Sequence, residues 1–387
     1  LADEALPDDA TAAADDLCYL VTGALAPETW EDVGGPGSVS VLRKSLIVSQ
    51  ARSVHEEVAQ LLGALAAAQA ADLRALGDKA VPRFPQAGAA EARIAKALAK
   101  RVTLDFVETP LADVADFMRE KIQVEIQVDA RALDDVGIGT DTPINLHVKN
   151  ISAAAALRHM LRELDLTYTV VDEVVMITTP EEAETRLQTR VYPVADLLRA
   201  ARDVTDEFLP DDAQGAAAGD ELIELVTATA SPATWEDVGG PGSISVWNDC
   251  LVVAQTEEVF DEVEGLLAGL RTLQRQVDDP AAAKATAPVR LDEWTDPSLE
   301  KLRAALAKEM GMAQFKETPL AEAIDFCAEK HGLPLLIGKR ALEDVGIDAD
   351  SVPVTISLGG ESIDQALTRM LRPLDLIYRL RNEAILI

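Results

Sequence analysis

Thr29-Trp30-Glu31-Asp32-Val33-Gly34-Gly35-Pro36-Gly37-Ser38 recurs without a change at Thr234-Trp235-Glu236-Asp237-Val238-Gly239-Gly240-Pro241-Gly242-Ser243. Self-similarity on this scale is read before any single element, because it fixes the unit from which the architecture is assembled. The match continues downstream, with Ser40-Val41 against Ser245-Val246, Leu46 against Leu251, Gln50 against Gln255 and Leu61-Leu62 against Leu266-Leu267. A second block recurs as well. Phe106 and Glu108-Thr109-Pro110-Leu111 return as Phe315 and Glu317-Thr318-Pro319-Leu320, and Arg131 to Ile138 returns as Arg340 to Ile347 with one Asp-to-Glu change. Ala156-Leu157, Met160-Leu161-Arg162 and Leu164-Asp165-Leu166 return as Ala366-Leu367, Met370-Leu371-Arg372 and Leu374-Asp375-Leu376.

The order is therefore module A, module B, module A, module B. Residues 1–75 form the first A, 101–187 the first B, 188–275 the second A and 310–387 the second B. Residues 76–100 and 276–309 read as Pro- and Ala-rich linkers, each ending in a short helix (Ala92–Lys100 and Ser298–Glu309). The first A has no counterpart of Thr189–Asp203, so the chain is expected to be a segment of a longer protein or to have disordered ends.

Periodicity predicts the elements of each module. In B, Val102–Val107 is extended. Thr109 is expected to cap a helix over Leu111–Lys121, with Pro110 at its first position and Leu111, Val114, Ala115 and Met118 on one face. Val124–Val128 and Ile144–Val148 alternate as strands around an Asp/Gly turn, Ser152 caps a helix over Ala153–Leu164, and Thr167–Val171 with Val174–Thr178 make a hairpin. The order is β-α-β-β-α-β-β. In A, Thr189–Val194 is a strand, Asp196–Arg202 and Asp220–Ala230 are helical, and Ser243–Val246 with Leu251–Ala254 form a hairpin across Trp247–Asp249. A helix from Thr256 to about Leu273 follows. The order is roughly β-α-β-β-α, which is KH-like. Both modules are α+β, with helices on one face of a small sheet.

Composition narrows the function. The net charge of -32 opposes nucleic acid and anionic membrane surfaces, which demand cationic side chains. No apolar run reaches the length of a membrane span. Gly34 to Gly37 and Gly239 to Gly242 fit a G-x-x-G pattern, but they lead straight into a strand beside Glu31 and Asp32, so turn geometry is the better reading than a phosphate clamp. Cys18, Cys250 and Cys327 align with Ile223, Ser45 and Met118 rather than with one another, and the four His likewise do not recur, which argues for buried thiols and for surface or edge imidazoles. No zinc, P-loop, dinucleotide or hydrolase motif is present, and no cofactor is expected. Asp8-Asp9, Asp211-Asp212 and Asp348/Asp350 read as solvated loops with at most weak Ca²⁺ affinity. Trp30 and Trp235 are expected to anchor the Gly turn or to contact a neighbouring subunit. Leu42 and Trp247, apolar in both copies at a hairpin tip, are the better interface candidates.

The Phe-x-Glu-Thr-Pro-Leu opening, the Ala-Leu-x-x-Met-Leu helix and the Tyr168–Ile177 hairpin make module B similar to the short N-terminal domain of secretins and TonB receptors. Arg190-Val191-Tyr192-Pro193-Val194 and the strand-plus-helix Leu251–Leu270 make module A similar to the KH-like secretin domain. The tandem arrangement resembles large acidic, Ala-rich envelope proteins of the planctomycete type. The resemblance implies a periplasmic or envelope location and a non-enzymatic role. That role is self-assembly into a ring, fibre or scaffold, or docking to another envelope protein. No secretin barrel follows the modules in this sequence, and the pair is doubled, which favours the scaffold.

Overall fold

A computed structural model describes residues 8–42, 45–71, 81–202, 211–278 and 297–387. The first A module consists of α1 (Asp8–Ala24), the hairpin β1 (Ser38–Leu42) and β2 (Ser45–Ser49), and α2 (Arg52–Gln69). The first B module begins with α3 (Ala89–Leu98) and β3 (Arg101–Pro110). It continues through α4 (Leu111–Ile122), β4 (Ile126–Val128), α5 (Ala130–Asp135), β5 (Pro143–Ser152), α6 (Ala153–Arg162), β6 (Thr167–Val171) and β7 (Val174–Thr178). After α7 (Pro180–Glu184), the second A module comprises β8 (Gln188–Pro193), α8 (Ala195–Arg202), α9 (Asp211–Thr229), β9 (Ser243–Trp247), β10 (Cys250–Gln255) and α10 (Glu257–Asp278). The second B module comprises α11 (Pro297–Leu306), β11 (Ala313–Pro319), α12 (Leu320–His331), β12 (Leu335–Leu336), α13 (Lys339–Asp344), β13 (Pro353–Leu358), α14 (Ile363–Leu371), β14 (Arg379–Arg381) and β15 (Ala384–Leu386). The architecture is α+β with several small sheets.

Like packs with like. One compact unit holds 1–87 and 184–295, the two A modules; the other holds 88–183 and 296–387, the two B modules. Both B modules have the same two sheets, an antiparallel pair (β3-β5, β11-β13) and a mixed triplet (β4-β7-β6, β12-β15-β14). The sequence pattern predicts one sheet. The split arises because β3 and β5 pair along nearly their whole length through bulges, leaving β4 to join the β6–β7 hairpin in parallel. The short helices of the linkers belong to these modules: Ile94, Ala97 and Leu98 of α3 enter the core of the first, and Leu299, Leu302 and Leu306 of α11 that of the second.

Two local expectations change. Thr109 does not cap α4; its hydroxyl bonds the Val107 carbonyl at 3.3 Å, and Pro110 is itself the boundary residue. The orphan N–H groups of Leu111 and Ala112 reach the carbonyls of Thr142 and Thr140 at 3.0 and 2.9 Å, so the neighbouring loop replaces a side-chain cap. The Asp/Gly turn after β4 contains α5, capped by Asp129, whose carboxylate accepts from the Ala132 N–H at 3.1 Å. Elsewhere the apolar face Leu111, Val114, Ala115 and Met118 is buried, and Ser152 caps α6 through the Ala155 N–H at 3.1 Å.

Candidate interaction surface

The repeated decapeptide is a closed clasp. Trp30 and Trp235 are each 1% exposed, and each indole N–H donates to a carbonyl five residues back, Leu25 and Ala230, at 2.7 Å. Gln50 and Gln255, the last residues of the following hairpin, donate from Nε2 to Thr29 Oγ1 and Thr234 Oγ1 at 2.7 and 2.9 Å. The glycines are required by close approach: a Cβ on Gly35 would lie 2.2 Å from the Thr29 carbonyl carbon, and one on Gly37 2.1 Å from Gln50 Nε2, with matching clashes at Gly240 and Gly242. Because both indoles are spent inside their own module, neither Trp30 nor Trp235 presents a surface to a partner. Both are internal anchors of the Gly turn rather than contacts to a neighbouring subunit.

The sheet of the second A module, ordered β8-β10-β9, has two buried faces. One carries Tyr192, Leu251 and Val253 onto α8, α9 and α10 in a core with Trp235 and Phe260. The other carries Val191, Cys250 and Val252, and this face is closed by the first A module, whose Leu20, Val21, Val58 and Leu61 belong to the same apolar cluster. Two hydrogen bonds fix the contact, Thr189 Oγ1 to the Ala24 carbonyl at 3.1 Å and Ser243 Oγ to the Gly23 carbonyl at 3.0 Å. Every residue of β10 is buried in consequence. Burial pushes the Cys250 thiol up to about 11, with Asp249 adding to the shift, so it stays protonated and packs as a small apolar group.

Trp247 lies at the end of β9, paired with Cys250, and is half-buried against this intrachain cluster. The turn is only Asn248-Asp249, both in left-handed conformations. Its placement as a free interface tip is therefore corrected: Trp247 already serves a contact between modules of one chain. Leu42, its counterpart, is 61% exposed. The equivalent face of β1–β2, carrying Ser40, Leu42, Ser45, Ile47 and Ser49, is uncovered among the described residues, and Ile47 is 49% exposed where Val252 is 1% exposed. The complementary helical surface shows the same asymmetry. Leu20 is buried against the second module, whereas its counterpart Leu225 is half-buried and Ala228 and Thr229, at the places of Gly23 and Ala24, are exposed.

The B unit is joined largely by polar groups, beside an apolar contact of Leu336 with the core of the first B module. The β14–β15 turn of the second module docks on α6 and β5 of the first. Glu383 accepts from Arg101 and from the Ser152 N–H (3.0 Å), and His159 Nε2 lies 2.9 Å from the Asn382 carbonyl. Arg340 and Asp165 pair at 2.5 Å. His159 is 5% exposed, so the surface placement expected for it is corrected. Burial lowers its pKa to about 4 against the opposing effect of the Asn382 carbonyl, and Arg162, Arg381 and Arg158 add to the lowering; the ring is neutral and donates from Nε2.

Of the acidic pairs, Asp350 is held by Lys339 at 2.8 Å, and Asp348 accepts from the Asp350 N–H at 3.0 Å. The side chains of Asp8, Asp9, Asp211 and Asp212 lie outside the described residues, as do residues 76–80 of the first linker and 279–296 of the second. No cluster of three potential metal ligands occurs among the described residues, and no helix there is long and apolar enough to cross a membrane.

No family model and no curated protein matches the chain. Seven chains among the solved structures match it. One, XcpQN012, the N-terminal domains of a type II secretion secretin, is 13% identical with a TM-score of 0.18, over 71% of this chain and 98% of that one. This is a weak structural likeness to secretin N-terminal domains, and it carries no argument about role.

Proposed function

We propose that this chain is a non-enzymatic structural protein of the cell envelope that self-associates through its A modules. The observation that carries the reading is the contact inside the A unit. The helical layer of one module covers the outer sheet face of the next, while the equivalent sheet face of the first module and helical face of the second are uncovered among the described residues. Such a contact is heterologous: it joins two different surfaces, so repeating it between chains gives a ring if the rotation closes and a fibre if it does not. The envelope location rests on the resemblance of the modules to secretin domains. The polar residues that the fold gathers serve as clasps between modules, which fits a structural role without catalysis or a cofactor.

The charge of -32 sets the conditions. Association is expected to be weak in dilute buffer and to strengthen as salt screens the repulsion. Sedimentation velocity across low and high salt tests this, on wild type and on the double variant Leu42→Glu, Ile47→Glu. Growth of larger species with salt, abolished in the variant, is the expected result. A strict monomer at high concentration in both conditions would falsify self-assembly and leave docking to another envelope protein as the reading.

A further inference from the structure

The matching helices α4 and α12 carry an arginine in the first B module and an alanine in the second. In α4, Arg119 sets its guanidinium between Asp116 at 2.8 Å and Glu125 at 3.9 Å. The same three places in the second module are Ala328, Asp325 and Pro334. Asp325 keeps the acid of Asp116, and the arginine that neutralised it is gone. Beside Ala328 the B unit has a cavity of about 190 Å³, walled by Asp325, Ala328 and Glu329 of α12 and floored by the apolar run Leu333-Pro334-Leu335. The opposite wall is β5 of the first module, through His147 and Lys149.

The charges around this cavity do not balance. His147 Nδ1 lies 3.2 Å from Asp105, and Lys149 lies 3.9 Å from Glu329. Lys339, the other cation near Asp325, is 2.8 Å from Asp350. Each basic group thus has a carboxylate of its own. Asp325 has no ion pair or hydrogen bond among the described residues. Partial burial raises its carboxyl above the ordinary value; Glu329 and Asp350 add to the rise, and His147 and Lys339 oppose it. One positive charge would complete the set. The floor calls for an aliphatic body behind that charge, as a long basic side chain provides. Arg119 shows which head group the acid accepts at this place on the helix, a planar guanidinium. The net charge of -32 raises the local concentration of any such cation.

We propose that the cavity between α12 and β5 is a binding site for a guanidinium on an aliphatic stem, either a free alkylguanidinium or the arginine side chain of a partner protein. Asp325 holds the head group, and the stem lies along Leu333, Pro334 and Leu335. The first module fills the corresponding place with its own Arg119 and takes no ligand there.

The test uses the full chain in about 0.15 M salt, which screens distant surface charge. Two probes separate the sources: n-butylguanidinium stands for a free cation, and a capped alanine pentapeptide with a central arginine stands for a side chain. Calorimetry should show saturable binding of at least one probe. At saturation the ring protons of His147 should shift in the NMR spectrum, and those of His55 in the A unit should not. Asp325→Asn should weaken binding at least about tenfold. Ala328→Arg, which restores the side chain of the first module, and Ala328→Leu, which fills the cavity without a charge, should abolish it. Asp116→Asn makes the same change in net charge away from the cavity and should leave binding as it was. Absence of saturable binding of both probes, binding that survives Ala328→Leu, or a loss as large with Asp116→Asn as with Asp325→Asn would each overturn the site. None of these readouts depends on self-association, so the site and the scaffold role fail separately.

Discussion

The two A modules share an identical decapeptide and the same clasp, yet their sheets live in different surroundings. The outer face of the second reads Trp247, Cys250, Val252, Ala254; that of the first reads Leu42, Ser45, Ile47, Ser49. The strand residues that face the helices barely change, Val39, Val41, Leu46 and Val48 against Ile244, Val246, Leu251 and Val253, so the sheet's apolar contribution to each core is much the same in both. What differs is the face turned away from the module's own helices, and that difference follows coverage: apolar where another module lies over it, serine-rich where none does among the described residues. The outer face thus records a unit's neighbours.

A charge placed at matching positions gives the sharpest test of this contrast. Val252→Asp buries a carboxylate without a partner and is expected to cost at least about 4 kcal/mol. Ile47→Asp, at the matching place in the first module, should stay within about 0.5 kcal/mol. Urea unfolding of the A unit, followed by tryptophan fluorescence, reads both. Comparable losses at the two sites would mean that the face of the first module is covered too.

The clasp should show the opposite pattern, with equal losses in both copies. Trp30→Ala and Trp235→Ala each remove a buried indole and leave a carbonyl unpaired, for about 3–5 kcal/mol apiece. A loss at Trp30 much smaller than that at Trp235, again by urea unfolding, would show that the two-stranded sheet holds its anchor less firmly than the three-stranded one.

Much of this was readable from the residues, and the unread part has a physical cause. Helix faces and hairpins follow from periods of 3.6 and 2, and the Leu111–Met118 face and the Thr167–Thr178 hairpin lie where those periods put them. The helix α5 was hidden by Asp and Gly residues that read equally well as a turn. The stacking of A on A also has a signal in the sequence. Leu251-Val252-Val253-Ala254 is an unbroken apolar run, the mark of a strand buried on both faces, whereas Leu46-Ile47-Val48 is bracketed by Ser45 and Ser49. Trp247 is an aromatic at a turn, and side-chain type alone does not say whether its partner lies in the same chain.

The B unit offers a second contrast, because its modules meet through charged and polar groups, and pH should separate it from the A unit. The folded pKa of His159, about 4, lies below its ordinary 6.5. The unfolded chain therefore binds the proton more readily, and the stability due to the neutral ring is complete above pH 6.5 and is lost as pH falls toward 4. The loss is at most about 3 kcal/mol. Denaturation of the B unit at pH 7 and pH 4.5 reads it, with His159→Gln as the comparison. A pH dependence unchanged in that variant would remove His159 as its source.

The smallest effect is the most direct comparison of the outer faces. Trp247→Leu gives the second module the side chain of the first, and Leu42→Trp does the reverse. Trp247 is half-buried against residues of the first module, so trimming it removes apolar contact area from a packed interface, for about 1–2 kcal/mol in the A unit. Leu42 is 61% exposed, so enlarging it adds surface that stays in water and should change stability by less than about 0.5 kcal/mol. Its effect belongs to association, where an exposed tryptophan on the free face should shift sedimentation toward larger species at high salt. If Leu42→Trp instead raises the unfolding midpoint of the isolated monomer, the tip of the first hairpin already has a partner within the chain, and the asymmetry between the two A modules is smaller than their serine content implies.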